Sequence, residues 1–428
     1  MSTDATIGLE GARESDARDR LEELQALART YRNWSVKELA HALGRQPGRL
    51  VPDSGLPKID LVVGLAKALD WPVEAVVDHL MRPAARGTPG DAPSAGDFRS
   101  LYEASLEKRA ARDYAEAVRL AVRAHAVADT PTRSAAALSA EAGAHEASGS
   151  YREAMRCLRA ATRLDGVDLE WRLHCDAKIA NLSFMQGNAT QAIGVASSVI
   201  EYASATAPSV TARMARAFAH WSRGQALRAS IPHANTEPWR AFAQGALDDF
   251  RAAAALADEV ATEPGVRVDR NLDYAACIPS MVAELESVVD PARAPDAVAM
   301  LLATIADGSA GPDGPGERKA WAAIALASTV KRFVDDDLQR RGALEIASAT
   351  LRAHAVATSS WYFAHRHLEI DSERRRALHA QGSASRSLDG VEARLVAGVL
   401  GHVPAARAHA EEYFALYGGK EAVKPCVG

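Results

Sequence analysis

Three segments of the chain open in the same way: Asp113-Tyr114-Ala115-Glu116-Ala117, Ser150-Tyr151-Arg152-Glu153-Ala154 and Asn188-Ala189-Thr190-Gln191-Ala192. They begin 37 and then 38 residues apart. A period of that length holds two helices and their turns. Each copy starts on a side chain able to cap a helix, and Gly149 and Gly187 stand just before two of them, where a preceding helix would end. Ala121, Leu158 and Ala196, then Ala124, Ala161 and Val199, continue one packed face in the three copies. One such hairpin cannot bury its apolar face alone, so it stacks on its neighbours, and the spacing predicts an all-α chain that grows by repetition. About fourteen helices are expected beyond residue 97 at this period.

Composition agrees with that class. Of 428 residues 48% are hydrophobic and only 6% aromatic, which favours helices packed through alanine over a sheet protein. The net charge of -5 supplies no whole-molecule attraction to nucleic acid or an anionic membrane, so any such binding needs a local patch. Cys157, Cys175, Cys277 and Cys426 show neither CxxC spacing nor scaffold density, which predicts reduced thiols. Residues 1–20 mix acidic and basic side chains without an apolar core, and 179–200, the longest uncharged stretch, is broken by Asn181, Gln186, Asn188 and Gln191. No signal, no membrane span and a cytoplasmic location are therefore expected. Only 9 of the 50 basic residues are lysine, a bias typical of GC-rich bacterial coding.

Ahead of the repeats, Leu21, Leu24, Leu27 and Tyr31 have helical spacing. Ser35 and Glu38 form the pattern of a capping box at the start of a second helix, with Leu39, Ala40 and Leu43 inward and Gly44 as the stop. After Pro47 and Pro52, a helix from Ile59 to Leu69 turns Leu61, Leu65, Ala66 and Leu69 inward, and Asp70-Trp71-Pro72 opens another with Val73, Val76 and Leu80. This makes five short helices over residues 21–82. Residues 83–97, rich in Pro, Gly, Ala and Ser, read as a tether to a repeat domain over 98–419.

Lys37-Glu38-Leu39-Ala40 with Leu43-Gly44, Gly55 with Pro57, and Leu65-Ala66-Lys67-Ala68-Leu69 before Val73 resemble the helix-turn-helix domain of phage-repressor and XRE-like regulators. The resemblance implies that the helix after Gly44 enters the major groove, with Arg45, Gln46 and Arg49 reading bases and Lys58 nearby. Residues 29–58 carry six basic side chains against Glu38 and Asp53, a balance of +4. The stretch from Gly44 to Gly55 is about one residue shorter than the family pattern, Gly48 weakens a helix interior and Pro52 truncates it. Two readings stay open, a DNA-binding unit and a degenerate unit used for protein docking.

The repeats resemble tetratricopeptide repeats, with most of that family's aromatics missing, and a last copy is read at Gly401-His402-Val403-Pro404-Ala405-Ala406. The joint resemblance implies a bacterial transcription regulator whose solenoid senses a peptide or protein partner. A non-DNA-binding scaffold is the alternative, and homodimerisation is open.

No catalytic motif is present: HExxH, GxSxG and a P-loop are absent, and the glycines of 308–316 read as a loop. No enzyme activity, cofactor or metal is expected, and His365 and His367, two apart, face different sides of a helix. Lys178 and Asn181 lie on one helical face, and Asn181 aligns with a groove position that holds a ligand's backbone in peptide-binding tetratricopeptide domains. Arg213, Arg216, His220 and Arg223 form a stripe opposite Met214, Phe218 and Trp221. On a concave wall that stripe would take an acidic segment or carboxylate; otherwise it is a solvated face.

Overall fold

The computed structural model describes residues 20–22, 24–25, 28–29, 32, 34–52, 57–69, 71, 73, 76–77, 80, 98–205, 209–231, 238–263, 270–307, 316–380, 390–403, 406, 409–410, 412–413 and 416. The chain divides into two units, Met1–Ala92 and Pro93–Gly428, with the division inside the proposed tether of 83–97, which lies outside the described residues. The regular elements described are all helical, and no described helix is long and apolar enough to cross a membrane.

In the first unit, α1 (Val36–Ala42) starts at the capping box: the Ser35 N–H donates to the Glu38 carboxylate at 2.7 Å and the Glu38 N–H to Ser35 Oγ at 3.3 Å. α2 (Ile59–Leu69) buries Leu61, Val62, Leu65, Ala66, Ala68 and Leu69 against Leu21, Leu24, Leu39, Val76 and Leu80. The helix expected after Gly44 is a single 3-10 turn, Pro47–Arg49. Gly48 within it and Pro52 just beyond it disfavour anything longer, and buried Gln25 holds the turn's end by donating to the Leu50 carbonyl at 2.8 Å.

The second unit begins with α3 (Phe98–Ala110), α4 (Tyr114–Ala126), α5 (Pro131–Ala147), α6 (Tyr151–Arg163), α7 (Leu169–Met185) and α8 (Ala189–Ala205). It continues with α9 (Val210–Ala229), α10 (Pro238–Ala261), a 3-10 segment (Arg270–Cys277), α11 (Ile278–Val289), a 3-10 turn (Pro291–Arg293) and α12 (Ala294–Ala306). Last come α13 (Glu317–Phe333), α14 (Asp337–Thr358), α15 (Trp361–Ala380) and α16 (Gly390–His402). Helices α4, α6 and α8 start where the repeated segments predict. Asp113 and Asn188 cap their first turns by accepting from Glu116 and Gln191 N–H, whereas Ser150 makes no such bond and its Oγ accepts from the Ser148 hydroxyl at 3.3 Å.

Neighbours in sequence pack as antiparallel pairs, and α3, α5, α7 and α9 also pack in succession. The later helices then cover that inner row. The Tyr362 N–H on α15 donates to Tyr151 Oη on α6 at 3.3 Å, and the Phe184 and Tyr362 rings lie 5.3 Å apart. Consequently Ala135–His145 of α5 and Ala320–Val330 of α13 are buried on every side. Such helices need small residues all round rather than one apolar stripe, and α5 supplies them with six alanines and a glycine between 135 and 145.

Candidate functional site

The inner helices of the second unit border an open cleft of about 440 Å³ whose lining comes from α3, α5, α7, α9, the Arg270–Cys277 segment, α13, α14 and α15, with Arg112, Tyr114 and Tyr151 at the starts of α4 and α6. One wall is aromatic. Trp221 packs on Tyr274 and Trp321 with ring centres 5.3 and 5.4 Å apart, and Trp321 on Phe363 at 5.3 Å. The opposite wall is polar, with Arg109, Arg112, Glu146 and Asn181. Glu317 accepts the indole N–H of Trp321 at 3.1 Å and so fixes that ring at the cavity edge.

Two local features bring the arginines there. Arg112 has φ +62°, in the turn position that Gly149 (+78°) and Gly187 (+84°) hold before the next two second helices. A side chain in this left-handed conformation costs about 1–2 kcal/mol, strain of the kind stored at binding sites. Gly143 interrupts the alanines of α5, and a Cβ there would lie 2.3 Å from Arg109 Nη1. The guanidinium therefore crosses the helix where a side chain is missing. Glycine in a helix interior costs about 1 kcal/mol relative to alanine, which the crossing offsets only if Arg109 is needed there.

Burial pushes the Glu146 carboxyl above its ordinary value, opposed by the nearby charges of Lys178 and Arg109 and by the Asn181 amide, which donates to Glu146 at 2.9 Å. Burial, with Lys178 and Arg109 adding to it, holds His174 well below its usual value, so it is neutral. Burial also raises Tyr151 to about 12 and pushes Tyr274 up. Tyr274 is 6% exposed, lines the cavity, and its hydroxyl has no hydrogen-bond partner among the described residues. A buried hydroxyl left unpaired costs about 1–3 kcal/mol, which a polar ligand atom in the cavity would offset.

The residues expected from sequence are spread over several settings. Asn181 lines the cavity, while Lys178 is buried behind it and donates to Ser139 Oγ at 3.0 Å. The stripe of α9 is neither a free concave face nor a solvated one, because α10 and the residues just after it supply carboxylates to it. Asp249 lies 2.7 Å from His220 Nδ1 and accepts from Arg223 through both oxygens at 2.8 and 2.7 Å, and Arg213 pairs with Glu263. Arg216 is half-buried and has no ion-pair partner among the described residues. In the first unit Gln46, Arg49 and Lys58 are exposed, whereas Arg45 donates to Asp60 at 2.7 Å with its side chain 23% exposed. His365 and His367 do not meet: His365 lies against His409, 3.1 Å between ring nitrogens, and His367 against Ser348.

Sequence reasoning missed Arg109, Arg112, Glu146, Tyr274 and Trp321. Two signals were present: a glycine inside an alanine-rich helix, and an arginine at the turn position where the other copies have glycine. The aromatic wall had none, since Trp221, Tyr274 and Trp321 come from three elements far apart in sequence. No family model and no curated protein matches the chain.

Proposed function

We propose that this chain is a bacterial transcription regulator in which a helix-turn-helix-like first unit binds DNA and a tetratricopeptide-like second unit senses a peptide or another small amphipathic effector. The cavity carries this reading. An aromatic wall facing two guanidinium groups, an amide and an unpaired hydroxyl suits a ligand with an apolar body and polar ends, and 440 Å³ is the size of a small-molecule or peptide-end site. Because α3, α5, α7, α13 and α15 all reach it, a ligand that prefers one packing of these helices would shift their arrangement. Gln46, Arg49 and Lys58 offer the first unit a basic, exposed surface for phosphates and base edges.

A second reading, a protein-docking role for the first unit, is favoured by one observation: the turn after Gly44 is three residues of 3-10 helix, too short to lie along a major groove, and Arg45 is engaged by Asp60. A gel-shift over the gene's own upstream region decides between them. If the first unit reads DNA, replacing Arg45 and Arg49 by Ala weakens specific binding by about 1–3 kcal/mol for each base that is no longer read. Unchanged affinity, or no shift with the wild-type chain, leaves the docking role.

A further inference from the structure

The hairpin of α5 and α6 holds a cluster apart from the cavity. Glu141 and His145 stand one helical turn apart on α5, so both project from one face, and Cys157 on α6 meets them. Glu141 Oε1 and His145 Nε2 are 3.6 Å apart, and the carboxylate oxygen, the imidazole nitrogen and the sulfur all lie within 4.8 Å of one another. All three are buried, at 8%, 6% and 0% exposure. His145 Nε2 is itself buried without a hydrogen-bond partner among the described residues. It stands 3.6 Å from the Glu141 carboxylate and within 4.8 Å of the Cys157 sulfur.

We propose that Glu141, His145 and Cys157 form a site for one Zn²⁺ ion. Thiolate, imidazole and carboxylate are the borderline donor set that this ion takes, and neither sulfur nor a lone imidazole serves Mg²⁺ or Ca²⁺. Tetrahedral bonds of about 2.0–2.3 Å separate ligand atoms by roughly 3.3–3.8 Å. The Glu141–His145 spacing already falls in that range, and the widest pair closes by about 1 Å through side-chain rotation. Binding replaces the Cys157 S–H bond by an S–Zn bond and releases the proton to solvent; the thiolate and carboxylate together neutralise the ion, so the occupied site carries no net charge in the interior.

Among the described residues, Arg156 and Glu153 also face the cluster. Arg156 Nη2 lies 3.6 Å from Glu141 and 3.7 Å from Cys157 Sγ, while its Nε donates to Glu153 at 2.9 Å. That side chain is 59% exposed, so it can withdraw towards Glu153 as the ion enters and leave the fourth position to water. Without the ion, burial and the Glu141 charge push the Cys157 thiol up, and it stays protonated.

The test uses the full-length chain, stripped with a chelator and titrated with Zn²⁺ against a chromophoric competitor, then with Co²⁺ followed by absorbance. One equivalent of Zn²⁺ per chain is expected, with a thiolate-to-metal charge-transfer band from Co²⁺. Cys157→Ser should abolish the band and weaken Zn²⁺ binding by more than about a hundredfold, as direct-ligand loss exceeds the 10–100-fold typical of outer-shell changes. Cys175→Ser and Cys277→Ser should change neither. His145→Gln, which keeps the thiol, should weaken binding with circular dichroism unchanged, so a Cys157 variant that fails to fold leaves the proposal testable. No bound Zn²⁺ in the wild-type chain, or a band surviving in Cys157→Ser, overturns the site.

Discussion

Glu284 on α11 is the most exacting place to perturb the second unit. Its two oxygens accept from Arg228 of α9 at 2.9 Å and from Arg332 of α13 at 3.2 Å, and the three side chains are 1%, 4% and 2% exposed. Arg228 also lies over the Trp321 ring, 5.9 Å from its centre, so the ion pair backs the cavity's aromatic wall. Glu284→Gln preserves shape and removes the charge, leaving two buried guanidinium groups without their counter-ion. Breaking a buried pair in this way costs about 3–5 kcal/mol, and at these exposures water cannot screen the loss. At a urea dependence of about 3 kcal/mol/M the unfolding midpoint should fall by roughly 1–1.7 M, followed by circular dichroism and tryptophan fluorescence. Although burial pushes its carboxyl up, Arg228 and Arg332 hold Glu284 below the ordinary carboxylate value, so its contribution is present above that value and lost as pH falls through the folded one. The Gln variant should therefore also lose part of the wild type's acid sensitivity. A variant within about 1 kcal/mol of wild type would refute the assignment of Glu284 as the counter-ion joining α9, α11 and α13.

Gly143→Ala should leave the fold as stable or raise its stability by up to about 1 kcal/mol, since only the flexible end of Arg109 must move. With that charge displaced, Glu146 should titrate at higher pH in carbon-13 NMR; a destabilised variant, or an unmoved Glu146, contradicts the role given to Arg109. His367, 2% exposed, is held at about 4 by burial, below its ordinary 6.5. The unfolded chain binds that proton first, so stability is full above about pH 6.5 and falls by about 1 kcal/mol per unit down to about 4. Denaturation midpoints measured across this window should flatten in His367→Gln, and an unchanged slope would assign the acid sensitivity elsewhere.

Much of the local structure was legible in the sequence. Gly149 and Gly187 end helices in the left-handed conformation, and Tyr114, Tyr151 and Ala189 begin them, as the repeated segments predict. The Ser35–Glu38 capping box is formed, and the inward faces of α1 and α2 are the apolar ones. These follow because caps, turns and one-sided burial are decided within a few residues of chain, where side-chain chemistry and backbone conformation act directly on each other.

What tertiary structure decided is which faces find company, and with whom. The α9 stripe has the periodicity of a surface, but Asp249 arrives from α10 and Glu263 from just beyond its end, and nothing in the spacing of Arg213, Arg216, His220 and Arg223 announces them. Lys178 and Asn181 share a helical face, yet α5 covers one with Ser139 and partners the other with Glu146. The cavity exists because helices after residue 316 return to the inner row laid down before 230, joining Tyr362 to Tyr151 across 211 positions. Periodicity specifies an apolar direction around one helix axis; it carries no information on the partner that meets it. That partner is selected by packing and charge complementarity over the whole unit, which is why the helices were readable from the chain and their binding surface was not.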